Sequence, residues 1–180
     1  DDFPYRFDTQ AAETVCESIV FLPHVKGPRT NRGEPSSLEP HQSWFYTTLF
    51  GWKHSATGRR RFMRAYRELP RGNGKSFEAA GVGNFCAFAE GEQGAEVHSV
   101  ATMRDQAKLV WTPAKRMLVK NEDLRAALGV ETNAHNLYQP STGSVFSPLS
   151  SDQDTLDGLN IYAAVIDEHD SKNPGWRSHQ

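Results

Sequence analysis

The residues with the clearest chemical potential are Gly74-Lys75-Ser76, which close the stretch Leu69-Pro70-Arg71-Gly72-Asn73-Gly74-Lys75-Ser76. A strand-like run, Arg61 to Glu68, precedes this stretch, and a helix-like run, Phe77 to Ala89, follows it. At such a turn the N–H groups of a glycine-rich loop and of a helix N-terminus point at an anion. The lysine reaches the outer phosphates of a nucleotide, and the serine hydroxyl ligates magnesium. Leu69 stands where the pattern G-x-x-x-x-G-K-[ST] has glycine, so one close-approach position is lost. Taken alone, the segment also fits a glycine-rich turn with a solvated Lys75.

A second stretch decides between these readings. Far downstream the chain reads Ile161-Tyr162-Ala163-Ala164-Val165-Ile166-Asp167-Glu168, an apolar run closed by two acids. A strand buried on both faces of a parallel sheet reads as a continuous apolar run. Carboxylates at its C-terminal end lie where ligands bind in open α/β sheets. Asp167 can hold Mg²⁺, largely through water. Glu168 can orient the water that attacks the γ-phosphate. Gln42 is a third candidate, because a glutamine amide both donates and accepts and can pair with N6 and N7 of adenine. The plain alternative for Gln42 is an exposed residue early in a helix.

The elements that must position these residues can be read in order. Asp8 or Thr9 caps a helix to about Leu22, with Ala12, Val15, Cys16, Ile19 and Val20 on one face. A polar loop separates it from a second helix, Pro40 to Gly51. Arg59, Arg60, Arg61, Arg64 and Arg67 form the most basic stretch, readable as a DNA-backbone contact or as a solvated hairpin. Gly81 and Gly83 weaken their helix by about 1 kcal/mol each relative to alanine, a penalty that close helix-on-sheet packing would explain. Ala95 to Ala101 reads as a strand, and Thr102 to Lys120 as a helix that Pro113 kinks or divides. A short helix, Glu122 to Leu128, ends at Gly129. Short strands at Asn136–Gln139 and Ser144–Ser147 flank Pro140-Ser141-Thr142-Gly143.

Composition narrows the partners. Lys plus Arg (20) nearly balance Asp plus Glu (22), so any nucleic-acid contact must be local. Cys16 and Cys86 show no metal spacing and read as reduced core thiols of a reducing compartment. The seven histidines are scattered, and no apolar run is long enough to span a bilayer. A soluble, cytoplasmic protein is expected.

Together these segments resemble the N-terminal part of the large terminase subunit of tailed bacteriophages, the ATPase that drives DNA into a procapsid. The resemblance runs in order through Phe7-Asp8, His24-Val25-Lys26-Gly27, Leu38-Glu39-Pro40-His41-Gln42 and Leu49-Phe50-Gly51-Trp52-Lys53. It continues through the Pro70–Ser76 loop, Ala101-Thr102-Met103-Arg104-Asp105-Gln106-Ala107 and Asp157-Gly158-Leu159 to Ile166-Asp167-Glu168-His169. Leu69 and Arg71 fit it, since terminases replace the first loop glycine and carry an arginine inside the loop. It implies an α/β fold of the P-loop NTPase type, with a mainly parallel sheet flanked by helices, of the additional-strand, catalytic-glutamate kind and incomplete at the C-terminus. Residues 1–57 would form a helical segment with the adenine-binding motif around Gln42, where His41 replaces the usual tryptophan, and residues 58–180 the partial ATPase core. Implied site residues are Pro70, Arg71, Gly72, Asn73, Gly74, Lys75 and Ser76 around ATP, Ser76 and Asp167 on Mg²⁺, and Glu168, Lys75 and Arg71 in catalysis. Implied partners are double-stranded DNA, a ring of identical subunits, the portal protein and the small terminase subunit, in the cytoplasm of an infected bacterium and with no membrane. The family's nuclease domain has no counterpart here. The alternatives are a helicase-like ATPase, since Asp167-Glu168-His169-Asp170 mimics a DExH/D box, and a non-hydrolysing nucleic-acid-binding scaffold with a vestigial loop.

Overall fold

The computed structural model describes residues 3–25, 37–70, 72–101, 104–150 and 160–166. Its N-terminal part is a helical pair held by a small sheet. Strand β1 (Tyr5–Phe7) leads into helix α1 (Thr9–Val20), and helix α2 (Pro40–Gly51) leads into strand β2 (Trp52–His54). β1 and β2 pair antiparallel, so the start of one helix is tied to the end of the other. Asp8 N–H donates to Gly51 O at 2.7 Å, while the Asp8 carboxylate accepts from Ala11 N at 3.1 Å and caps α1 as expected. α2 begins with Pro40, whose missing N–H costs nothing in a first turn.

The second part is a mixed sheet under two helices. Helix α3 (Lys75–Phe88), strand β3 (Glu96–Ala101), helix α4 (Arg104–Lys120), helix α5 (Glu122–Leu128) and strands β4 (Glu131–Thr132), β5 (Leu137–Gln139), β6 (Ser144–Ser150) and β7 (Ile161–Ile166) follow in order. The sheet has five strands in the order β4-β5-β6-β3-β7. β3 lies parallel to both β6 and β7, and β5 lies antiparallel to β4 and β6. The parallel centre and the flanking helices agree with the expected fold class.

α3 and α4 cover one face of this sheet. Ser99 Oγ donates to Ala107 O at 2.9 Å, and Trp111 Nε1 donates to Phe146 O at 3.3 Å, which locks α4 onto β3 and β6. Asn84 Nδ2 donates to Ala114 O at 3.1 Å and ties α3 to α4. A Cβ on Gly83 would sit 2.5 Å from the Phe146 ring, so the helix-on-sheet explanation holds there; Gly81 instead faces Ile19 and Leu22 of α1 at ordinary contact distances. α4 runs unbroken through Pro113.

One expected element is not regular. Arg61 to Glu68 forms no strand among the described residues, where its ladder contacts are at its start: Arg60 bridges Lys53 and Arg61 N–H donates to Trp52 O. Side chains fix it instead. Arg60 Nε lies 3.3 Å from Glu90 Oε1, with its guanidinium over the Phe50 and Tyr162 rings. Arg61 sits over the rings of Phe3, Tyr5, Trp52 and Phe62. The basic stretch is therefore neither a sheet strand nor a freely solvated hairpin. Among the described residues no helix is long and apolar enough to cross a membrane.

Candidate functional site

The loop before α3 takes its shape from two glycines. Gly72 (φ 85°) and Gly74 (φ 77°) are left-handed, a conformation that other residues rarely adopt. An added Cβ at either would meet nothing within 4 Å, so backbone conformation, not crowding, calls for glycine. Gly74 is the N-cap of α3 and has no side chain to cap it. The N-cap residue thus supplies no side chain to the first turn of α3, an arrangement suited to an anion. Lys75 and Ser76 are the first two helical residues, and Asn73 N–H donates to Pro70 O at 3.4 Å to close the turn.

The turn lies at the edge formed by the C-terminal ends of the parallel strands. α3 has fourteen residues and β3 six, which makes both roughly 20 Å long. Only residues 89–95 connect them, so the end of α3 lies near the start of β3. The N-terminus of α3 is thereby brought level with the C-terminal ends of β3, β6 and β7, where open α/β sheets bind ligands. β7 ends at Ile166 on that same edge. Asp167, Glu168 and Arg71 lie outside the described residues.

Gln42 is brought to the same region and is not simply exposed. Its Oε1 accepts from Glu39 N at 2.8 Å, completing half of a capping box. Its Nε2 donates to Glu78 Oε1 at 2.7 Å. Glu78 is 5% exposed and stands in the first turn of α3, three residues beyond Lys75. Its other oxygen lies 3.1 Å from Arg67 Nη1, an ion pair without the angle of a hydrogen bond. The Arg67 guanidinium also lies over the Phe45 ring at 4.7 Å. Tyr46 is buried beside this pair, and burial first, then the Glu78 charge, pushes its hydroxyl far above the ordinary tyrosine range. His24 stacks on Phe77, centroids 4.8 Å apart, on the turn that carries Ser76.

Glu78 was not singled out from sequence, and Arg67, read there as part of the basic stretch, instead pairs with it. The available signal was a lone carboxylate among Phe77, Ala79 and Ala80, where an apolar helix face needs a buried counter-charge. Among the described residues no group of His, Cys, Asp and Glu could hold a metal ion. The donor set that remains, the Ser76 hydroxyl together with the phosphates of a nucleotide, suits Mg²⁺, which keeps most of its own waters.

Comparison with curated proteins gives no match. Among solved structures the chain is similar to the large terminase of bacteriophage HK97, with a TM-score of 0.68 and 24% sequence identity over 87% of this chain. The chain spans 31% of the length of that protein. Residues 40–174 match the family described as terminase large subunit, ATPase domain. That match takes in α2, the loop of Gly72 and Gly74, α3 and the whole sheet, and the chain belongs to the terminase large subunit ATPase-domain family.

Proposed function

We propose that this chain is the ATP-hydrolysing motor domain of a viral DNA-packaging terminase, coupling ATP hydrolysis to movement of double-stranded DNA into a procapsid. The observation that carries the reading is the uncapped first turn of α3, which opens with Lys75 and Ser76 behind two left-handed glycines at the C-terminal edge of parallel strands. The HK97 likeness supports the fold, and the family match supports the packaging role.

In this reading the N–H groups from Gly72 to Ser76 hold the phosphates, and Lys75 neutralises charge between the β- and γ-phosphates. Ser76 and, through water, Asp167 would hold Mg²⁺, which would supply positive charge against the phosphate oxygens. Glu168 orients the attacking water, and Arg71 stabilises charge within its own subunit. Gln42 reads the adenine. Residues 1–57 serve the base and residues 58–180 the phosphates. Ring assembly, the portal protein and the small subunit follow from the family, and Arg104, Arg116 and Arg125 are the candidates to reach a neighbour's γ-phosphate.

An ATP-hydrolysis assay with and without double-stranded DNA tests the reading. Mg²⁺-dependent turnover that Lys75→Ala abolishes and DNA stimulates is the expected result. Turnover unchanged by Lys75→Ala removes the phosphate-loop assignment, and nucleotide binding without turnover leaves the scaffold alternative.

A further inference from the structure

The two hydrogen bonds of Gln42 determine which way its amide faces. A backbone N–H can meet only the amide oxygen, and a carboxylate can meet only the amide NH₂. Glu39 N–H on Oε1 and Glu78 Oε1 on Nε2 therefore specify the same orientation. The two anchors are unequal. The bond to Glu39 is exposed and neutral, whereas the bond to Glu78 is part-buried and charge-assisted, and bonds to charged groups are about twice as strong. Arg67 Nη1, 3.1 Å from the second carboxylate oxygen, supplies its counter-charge.

So anchored, Gln42 retains one N–H and one oxygen lone pair for a ligand. A 6-aminopurine complements that pair, because its N7 accepts and its 6-amino group donates. A 6-oxopurine presents acceptors at both positions and meets the amide oxygen with its own oxygen. We propose that Glu78 is a specificity-determining positioning residue, which selects ATP over GTP by holding the Gln42 amide in one orientation. This rests on the reading of Gln42 as the base contact. Since the same carboxylate stands one turn beyond Lys75, base recognition and the phosphate loop share a single anchor.

The test is the ratio of ATP to GTP affinity, measured by competition against a fluorescent nucleotide on the full-length protein with Mg²⁺ present. Glu78→Gln keeps the shape but lets either end of residue 42 pair, since its own amide both donates and accepts. It should lower the ATP:GTP ratio roughly five- to tenfold, the scale of one discriminating hydrogen bond. Gln42→Ala should lower it as well. If Gln42→Ala lowers the ratio and Glu78→Gln leaves it, the positioning role is overturned while the base contact stands. If Gln42→Ala leaves the ratio unchanged, the base contact and the positioning role fall together. Equal loss of both nucleotides in Glu78→Gln makes Glu78 a structural residue only and overturns the proposal. Should Glu78→Gln fail to fold, Glu78→Asp keeps the charge against Arg67 and withdraws the oxygen from Gln42. An unchanged ratio in that variant overturns the proposal too.

Discussion

Lys75 makes no ion pair among the described residues, so its charge is available to a ligand and contributes little to folding. Lys75→Ala should abolish turnover and leave the melting temperature nearly unchanged. A large fall in melting temperature would instead give the lysine a structural role. Downstream, Asp167→Asn should weaken Mg²⁺-dependent binding, whereas Glu168→Gln should bind ATP and stall; equal loss of binding in both breaks the paired assignment. His98 offers a pH signature. Its Nδ1 lies 3.1 Å from Ser147 Oγ, its Nε2 is buried without a partner, and burial lowers its pKa below 6.5, against a smaller upward pull from Glu96. The unfolded chain therefore binds this proton more readily than the folded one, so stability rises with pH through the window below 6.5. The stability difference between the parent and His98→Gln should be constant above that pH and shrink as pH falls beneath it, by urea melts across the range. Lys75, Ser76 and Gln42 are candidates from sequence because their chemistry is local. The pairing of Glu78 with Arg67 was hidden because it depends on separate segments meeting.

At the scale of elements, helix ends and helix faces were the legible part. Asp8, Pro40 and Gly129 mark boundaries through backbone chemistry that acts within one turn. The run from Arg61 to Glu68 was misleading because alternation shows a tendency to extend, and a strand also needs a neighbour to bond. Pro113 does not divide its helix, one of the two outcomes open from sequence, since α4 runs on through it although the residue is buried. The two glycines of α3 give a paired prediction. Gly83→Ala drives a methyl into the Phe146 ring and should destabilise by about 1–3 kcal/mol. Gly81→Ala would meet Ile19 and Leu22 at ordinary contact distances and should be neutral or stabilise by up to about 1 kcal/mol. Thermal or chemical denaturation of both variants checks this; a like response in the two would mean that α3 does not rest on β6 as described.

For the whole molecule the informative feature is the outer edge of β7. Its inner edge pairs with β3, and among the described residues nothing pairs with the other. Ile161 and Ile166 are 42% and 61% exposed, and Met63 and Tyr66 of the unpaired extended segment are 70% and 83% exposed. An apolar, unpaired edge recruits further strands. A polypeptide of residues 1–180 should therefore self-associate in light scattering, and Ile161→Lys should shift it toward monomer. A monomer with a single cooperative melt in the parent would show the edge to be satisfied. This feature was foreseeable only from the resemblance, which implied a fold incomplete at the C-terminus, because no residue of β7 states what lies beside it.

β7 also comes last among the described strands, on the far side of β3 from β6. During synthesis the phosphate loop, α3, β3, α4 and β6 leave the ribosome first and can condense on one another. The long-range pairing of β7 is the slowest to form, and Asp167 and Glu168 arrive only behind it. On the proposed reading, a nascent chain thus acquires the residues that hold a nucleotide before the acids that cleave it, and hydrolysis waits on β7.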